Sequence, residues 1–196
     1  MLNLTAYLVK EHVAFMKLAD TYDIFDPETG EQVGVAKEEP SGLVTFLRFF
    51  VNKALLPTYV FIYEHGDSRP VFSIYRGFSF LRSKVLIRDE NEQTIGYFKS
   101  KLFSLGGGFY VYDKNDRQIA DVKGDWKGWE FRFLTNDGDE LGTVSKKWGG
   151  FAKEFFTSAD NYLITLNPEF IDASTGINIL LLAAGLAIDV IYKEGA

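Results

Sequence analysis

Residues 109–122 carry the pattern that decides the fold: Phe109-Tyr110-Val111-Tyr112-Asp113-Lys114-Asn115-Asp116-Arg117-Gln118-Ile119-Ala120-Asp121-Val122. An apolar alternating run leads into a polar turn, and an apolar residue followed by a small one opens the return run. Alternation with a period of two on both sides of an Asp/Asn turn is typical of an antiparallel hairpin. We therefore expect two paired strands in this segment.

Three further segments repeat this pattern: 22–35, 85–98 and 131–144. In each of them the return run opens on an apolar residue followed by Gly34, Gly96 or Gly142. Further strands are expected at 58–64, 71–76, 153–156 and 162–166. Short strands in series with almost no helix between them predict a sandwich or a closed barrel. An aromatic content of 16% also favours a strand-rich protein.

The segment 41–55 breaks the strand pattern. Its polar residues recur at helical spacing and form one face: Ser41, Thr45, Arg48 and Asn52. Pro40 precedes the segment and Pro57 follows it, as expected at the bounds of a helix. We expect an amphipathic helix that covers one end of the barrel. An interfacial membrane helix is the alternative, because the apolar arc is broad.

The second helical segment is 174–193, which is apolar on every face. Its stretch 177–192 would be about 24 Å long at about 1.5 Å per residue, whereas the core of a bilayer needs about 30 Å. We therefore expect a buried core helix, with a membrane anchor as the minor alternative. Asn178 and Asp189 share one stripe of this helix, which we expect to face a barrel mouth or a polar partner. The expected architecture is one domain, 1–196, with a closed antiparallel barrel around this helix.

Composition and charge exclude several classes of function. The net charge of −6 disfavours nucleic-acid binding, and the absence of cysteine excludes disulfides and thiolate chemistry. The N-terminus lacks a basic region before its apolar residues, so we do not expect a signal peptide. His12 and His65 have no ligand spacing typical of a zinc site, and no nucleophile motif is present. We therefore expect no catalytic residues and no enzymatic activity.

The run before the terminal helix resembles the C-terminal part of phospholipid scramblases: Ser145-Lys-x-Trp148-x-Gly150 … Glu154-x-Phe156-Thr157-x-Ala159-Asp160-Asn161-Tyr162, followed by an apolar helix with Ile188-Asp189. The hairpin series is similar to that of the scramblase and LURP-one-related group, which shares the tubby C-terminal fold. The resemblance implies a mainly β, tubby-like barrel of about twelve strands that encloses a hydrophobic C-terminal helix. This agrees with the pattern of the strands.

Eukaryotic scramblases carry a twelve-residue segment that is proposed to bind calcium, with acidic residues at its first, third and last positions. The resemblance implies calcium ligands here at Asp160, Asn161 and Glu169, but Ser158 stands at the first position. The alternation in 162–166 indicates a strand, which would hold Asp160 and Glu169 too far apart for one calcium cage. We expect a strand in which Asp160 and Asn161 form a turn or cap, with calcium binding as the alternative.

Tubby proteins bind phosphoinositides through a basic patch. The resemblance implies that Lys146, Lys147 and Lys153 contribute to a lipid-headgroup site, with Lys99 and Lys101 as further candidates. It implies a cytoplasmic, non-enzymatic protein that binds lipid or a membrane surface peripherally and needs no cofactor apart from the calcium alternative. Phospholipid scrambling follows from the resemblance alone. A soluble protein-interaction or scaffold module with no membrane role is the alternative function.

Overall fold

Twelve β-strands form one closed antiparallel barrel in the computed structural model, which describes residues 1–12, 19–78, 84–101, 108–125, 129–146, 161–170 and 176–189. The strands are β1 (Ala6–Glu11), β2 (Thr21–Phe25), β3 (Gln32–Glu38), β4 (Thr58–Glu64), β5 (Pro70–Arg76), β6 (Lys84–Asp89), β7 (Thr94–Ser100), β8 (Gly108–Asp113), β9 (Gln118–Asp125), β10 (Glu130–Leu134), β11 (Glu140–Ser145) and β12 (Asn161–Leu166). The helices are α1 (Gly42–Leu47) and α2 (Ile177–Ala187), and short 3-10 helices cover Lys53–Leu55 and Pro168–Phe170.

The strand order is the simplest that a closed sheet permits. Each strand pairs with its neighbours in sequence, and β1 closes the barrel by pairing with β12, with Val9 opposite Tyr162. The predicted closed antiparallel barrel is confirmed, and closure leaves no sheet edge exposed. The sequence pattern did not predict β1. The predicted strand at 153–156 lies outside the described residues.

The repeated apolar–small step marks a β-bulge in each hairpin. In the pairing of β8 with β9, the register shifts directly after Val111, which lies opposite Ala120. The hairpins with Gly34, Gly96 and Gly142 show the same shift beside the small residue. A bulge increases the local twist of a strand, and twist is what bends a sheet into a closed barrel. The repeated apolar–small step therefore marks the positions where bulges help the sheet to close into a barrel.

The barrel interior is filled by α2. Its residues from Leu180 to Ile188 are all buried, and the helix contacts β5, β7, β8, β11 and β12. Strands from separate parts of the ring therefore enclose the helix, as predicted for the described part of 174–193. A Cβ atom at Gly185 would lie 2.6 Å from Ile164 Cδ1, so the helix and the wall approach as closely as a glycine permits. A Cβ at Gly96 would lie 2.7 Å from Leu180 Cδ2.

The two ends of the barrel differ in their connections. At the end that we call the turn end, short turns join successive strands at 26–31, 65–69, 90–93, 114–117 and 135–139. At the opposite end, the loop end, β3 leads into the long connection 39–57, which contains α1. Because neighbouring strands are antiparallel, β1, β5, β7, β9 and β11 also finish at the loop end. The helix α2 starts at the turn end and finishes at the loop end.

The helix predicted over 41–55 is wrong in its extent and in its orientation. The observed α1 ends at Leu47, because the N–H groups of Phe49 and Phe50 bond three residues back and tighten the chain out of the α-helical path. Its polar residue Arg48 points towards the barrel, with a side chain only 9% exposed. Most of the apolar arc therefore faces outward, and Val44 is the buried residue of α1.

Candidate functional site

The large hydrophobic side chains that are exposed among the described residues all lie in connections of the loop end. Their exposed fractions range from 40% at Leu55 to 73% at Phe50. Five belong to the connection 39–57 and one to the residues that follow β5: Leu43, Phe46, Phe49, Phe50, Leu55 and Phe78. A concentration of exposed apolar side chains at one end of a folded protein marks a candidate site of interaction.

A buried ion-pair cluster holds the connection 39–57 in place. Glu38, the last residue of β3, has a side chain with no exposure and accepts hydrogen bonds from both terminal nitrogens of Arg48. Lys53 Nζ lies 3.2 Å from the same carboxylate and also pairs with Asp20. The charges of Arg48 and Lys53 are thus compensated inside the protein, because each guanidinium or ammonium group faces a carboxylate.

Arg76 fixes the other end of this connection. Its side chain is buried, and Nη2 donates to Thr58 Oγ1 at 3.0 Å and to the carbonyls of Lys53 and Leu56 at 3.5 Å. Charge-assisted hydrogen bonds to backbone carbonyls restrain the chain itself, whereas contacts to side-chain tips do not. Two buried arginines therefore hold the connection 39–57 in place. Arg48 ties its middle to Glu38, and Arg76 ties its last residues to the barrel.

Lysine residues accompany the apolar residues at the loop end. Lys84 and Lys99 face each other across β6 and β7, and both are exposed. Like charges directly opposite in a sheet are destabilising, although Lys84 Nζ lies 3.4 Å from the centre of the Tyr97 ring. Lys101 pairs with Asp121. The exposed lysines Lys84 and Lys99 thus place positive charge on the side formed by β6 and β7, whereas exposed Asp125 and Glu130 face each other across β9 and β10.

The predicted headgroup lysines are only partly described. Lys146 follows β11 at the loop end, and its Nζ lies 4.2 Å from the centre of the Trp129 ring. Lys147 and Lys153 lie outside the described residues. Lys99 and Lys101, the further candidates, lie at the same end of the barrel as Lys146. Sequence reasoning did not single out Lys84, whose position opposite Lys99 depends on the register of β6 and β7.

The turn end carries the opposite charge. Each of its turns, taken with the flanking residues, has two or three carboxylates, and the Lys and Arg residues within these turns are Arg69, Lys114 and Arg117. Several of these carboxylates build the turns: Asp113 Oδ1 accepts from the N–H groups of Asn115 and Arg117, at 2.9 and 3.0 Å. Burial acts to raise the pKa of Asp113, but these two N–H groups and the Arg117 guanidinium lower that pKa below its ordinary value.

The segment implied as a calcium site is stretched along the barrel. Asn161 begins β12 at the loop end and is 6% exposed, whereas Glu169 is exposed in the 3-10 helix that follows β12 at the turn end. The six-residue strand β12 spans roughly 17 Å between its ends at about 3.3 Å per residue, so Asn161 and Glu169 do not share one site. Asp160 lies outside the described residues. The described residues hold no group of three or more acidic, His or Cys side chains suited to a metal ion.

The polar residues of α2 lie at opposite ends of the barrel. Asn178 Nδ2 donates to the carbonyl of Leu2 at 3.5 Å at the turn end. Asp189 is buried at the loop end, beside Tyr22 and Tyr162. Burial raises the pKa of both tyrosines well above the ordinary value, and the negative charge of Asp189 raises it further. Tyr22, Tyr162 and Asp189 thus form a buried group of polar side chains at this end of the barrel.

Comparisons with known proteins supply the family. No curated protein and no solved structure matches the chain. In the part of the chain that the structure describes, no helix has both the length and the apolar character needed to span a bilayer. The family model described as Scramblase matches residues 18–195, which include β2 to β12 and α2. The chain therefore belongs to the scramblase family.

Proposed function

We propose that this protein is a non-enzymatic, lipid-associated member of its family that binds anionic phospholipid headgroups at a membrane surface through the loop end. The observation that carries the proposal is the opposite character of the two ends. The loop end combines exposed apolar residues with Lys84, Lys99 and Lys146, whereas the turn end is strongly acidic. Exposed apolar residues alone, or lysines alone, would not favour a membrane surface over another binding partner.

Charge separation of this kind orients a protein in an electric field. The net charge of −6 would repel the whole molecule from an anionic leaflet, but the separation of charge turns the loop end towards it. Each lysine near such a surface contributes about 1 kcal/mol of attraction, and the attraction decays over a Debye length of about 10 Å in 0.1 M salt. Binding should therefore depend steeply on the fraction of anionic lipid and on salt.

Flotation with lipid vesicles tests the proposal. The wild-type chain should float with phosphatidylcholine vesicles that contain phosphatidylserine, and should be released as salt is raised. Replacing Lys84→Glu and Lys99→Glu should weaken binding more than about 30-fold, because the loss of two lysines alone removes about 2 kcal/mol and the two glutamates add repulsion. The matched control is Lys114→Glu, a change of exposed lysine at the turn end, which should leave binding unchanged.

Failure of the wild-type chain to float at low salt would refute the proposal and favour a protein-interaction module. An equal effect of the Lys114 and Lys84/Lys99 changes would refute the assigned orientation. Movement of phospholipid between leaflets, the activity that the family name describes, belongs to the same proposal. Reconstitution into asymmetric vesicles, with and without calcium, measures it directly. Absence of lipid translocation in both conditions would limit the function to binding.

A further inference from the structure

Four residues of the connection 39–57 form a compact apolar cluster, which we call the wedge: Leu43, Phe46, Phe49 and Phe50. Their exposed fractions lie between 59% and 73%, and the rings of Phe46 and Phe50 are 5.3 Å apart between centres. Val44, on the same short helix, is buried against the barrel. The wedge is therefore the exposed part of this connection, and the rings of Phe46 and Phe50 contact each other.

The wedge carries no charge, and hydrogen bonds restrain the backbone of the connection that bears it. Within 42–51 the only charged residue is Arg48, and its guanidinium turns inward to the buried carboxylate of Glu38. Entry into a hydrocarbon region is opposed by every charged group that must enter with the apolar ones. Here the ion pair removes that penalty in advance. The hydrogen bonds of Arg76 restrain the backbone on the far side of the connection.

The surroundings of the wedge favour a bilayer over another protein. The lysines of β6 and β7 lie at the same end of the barrel, as do exposed Phe78 and Leu55. Apolar and basic side chains at one end of a protein match the two layers of an anionic membrane, with acyl chains beneath charged headgroups.

We propose that the wedge inserts into the acyl-chain boundary of an anionic bilayer and anchors the loop end there. This inference rests on the proposed membrane binding, but it adds a second step: the lysines bring the barrel to the surface, and Phe46, Phe49 and Phe50 hold it. Electrostatic attraction is lost in high salt, whereas burial of apolar surface is not. Insertion of the wedge thus adds a part of the binding free energy that is not lost when salt is raised.

Because the chain has no cysteine, a single reporter position can be introduced cleanly. Phe50→Cys carries an environment-sensitive NBD group at the tip of the wedge, and Glu90→Cys carries it in a turn at the opposite end as the matched control. With phosphatidylcholine–phosphatidylserine vesicles, the label at 50 should shift to the blue and be quenched by bromine on the acyl chains. The label at 90 should do neither.

A second pair of variants measures the contribution to affinity. Phe49→Ala with Phe50→Ala should lower the vesicle partition coefficient about 30- to 100-fold, roughly five- to tenfold for each ring. Phe49→Leu with Phe50→Leu retains apolar surface and should restore most of the binding. Both pairs should unfold at the wild-type temperature, since the two rings are exposed.

The outcomes separate this inference from the proposed function. If the wild-type chain floats but the label at 50 stays in water, the wedge is refuted and electrostatic binding stands. If the chain does not float, both are refuted. If the label at 50 shifts to the blue without vesicles as the protein concentration rises, a second copy of the chain covers the wedge, and the inference is overturned.

Discussion

Replacing Leu182 with alanine tests whether α2 is the core of the barrel. The side chain of Leu182 has no exposure, and the helix contacts strands on several sides of the ring. The change removes three carbons, which is about 2.4 kcal/mol at about 0.8 kcal/mol for each buried methylene-sized group. The cavity left behind adds to this, and measured costs for buried Leu→Ala changes range from about 2.7 to 5 kcal/mol.

The closed wall places Leu182→Ala in the upper half of that range. A hydrogen-bonded ring of strands cannot collapse inward to fill a cavity, and the close contact of Gly185 with Ile164 leaves the helix little freedom to shift. We expect a loss of about 4 kcal/mol, which corresponds to a fall in the thermal midpoint of about 8–16 °C for a chain of this size. Equilibrium unfolding in urea, followed by circular dichroism, measures the free energy directly.

Leu43→Ala is the matched control, because it makes the same chemical change on the other helix. Leu43 is 68% exposed, so its truncation should alter the free energy of unfolding by no more than about 0.5 kcal/mol. Equal costs for the two variants would refute the enclosure of α2. A cost below about 1 kcal/mol for Leu182→Ala would do the same, since the loss of three carbons from a packed interior costs more free energy than that.

Three further predictions test other parts of the molecule. Gly96→Ala should cost about 1–3 kcal/mol in urea unfolding, because the new Cβ would lie 2.4 Å from a backbone carbonyl of β8 that cannot move alone; an unchanged midpoint would contradict the close approach. Glu38→Gln should cost about 3–5 kcal/mol, because it leaves a buried guanidinium without its carboxylate, and a loss below about 1 kcal/mol would show that the ion pair is dispensable. Burial raises the pKa values of Tyr7, Tyr22 and Tyr162 in the folded state, so the unfolded chain releases these protons first as pH rises. Stability should be fully present below about pH 10 and should then fall by about 1.4 kcal/mol per pH unit for each tyrosine, and alkaline unfolding with no such slope would rule out their burial.

The hairpins could be predicted from sequence because their information is local. Alternation fixes which residues face inward, the Asp/Asn turns fix where strands reverse, and the small residue after each turn locates the bulge. The pairing of β1 with β12 could not be predicted in this way. It joins residues from the two ends of the sequence, with Val9 opposite Tyr162, and no neighbouring residue indicates such a partner.

The orientation of α1 shows a different limit. The polar and apolar faces of 41–55 were identified correctly, but an apolar face was assumed to point inward. The orientation is decided by the contact between Arg48 and Glu38, which are ten positions apart in sequence. The sequence pattern does not indicate that the carboxylate at the end of β3 is buried. The candidate site was predicted less well for the same reason, since the pair of Lys84 with Lys99 appears only once the register is known.

The closure of the ring by its first and last strands has a consequence for biosynthesis. During translation, β1 leaves the ribosome well before its partner β12 and the core helix α2. Until then the nascent sheet has two open edges and an interior of aromatic side chains without the helix that fills it. The barrel can therefore close only after β12 and α2 have left the ribosome, with the long-range pairing as the slow step of folding. Until that point the nascent barrel depends on protection from aggregation.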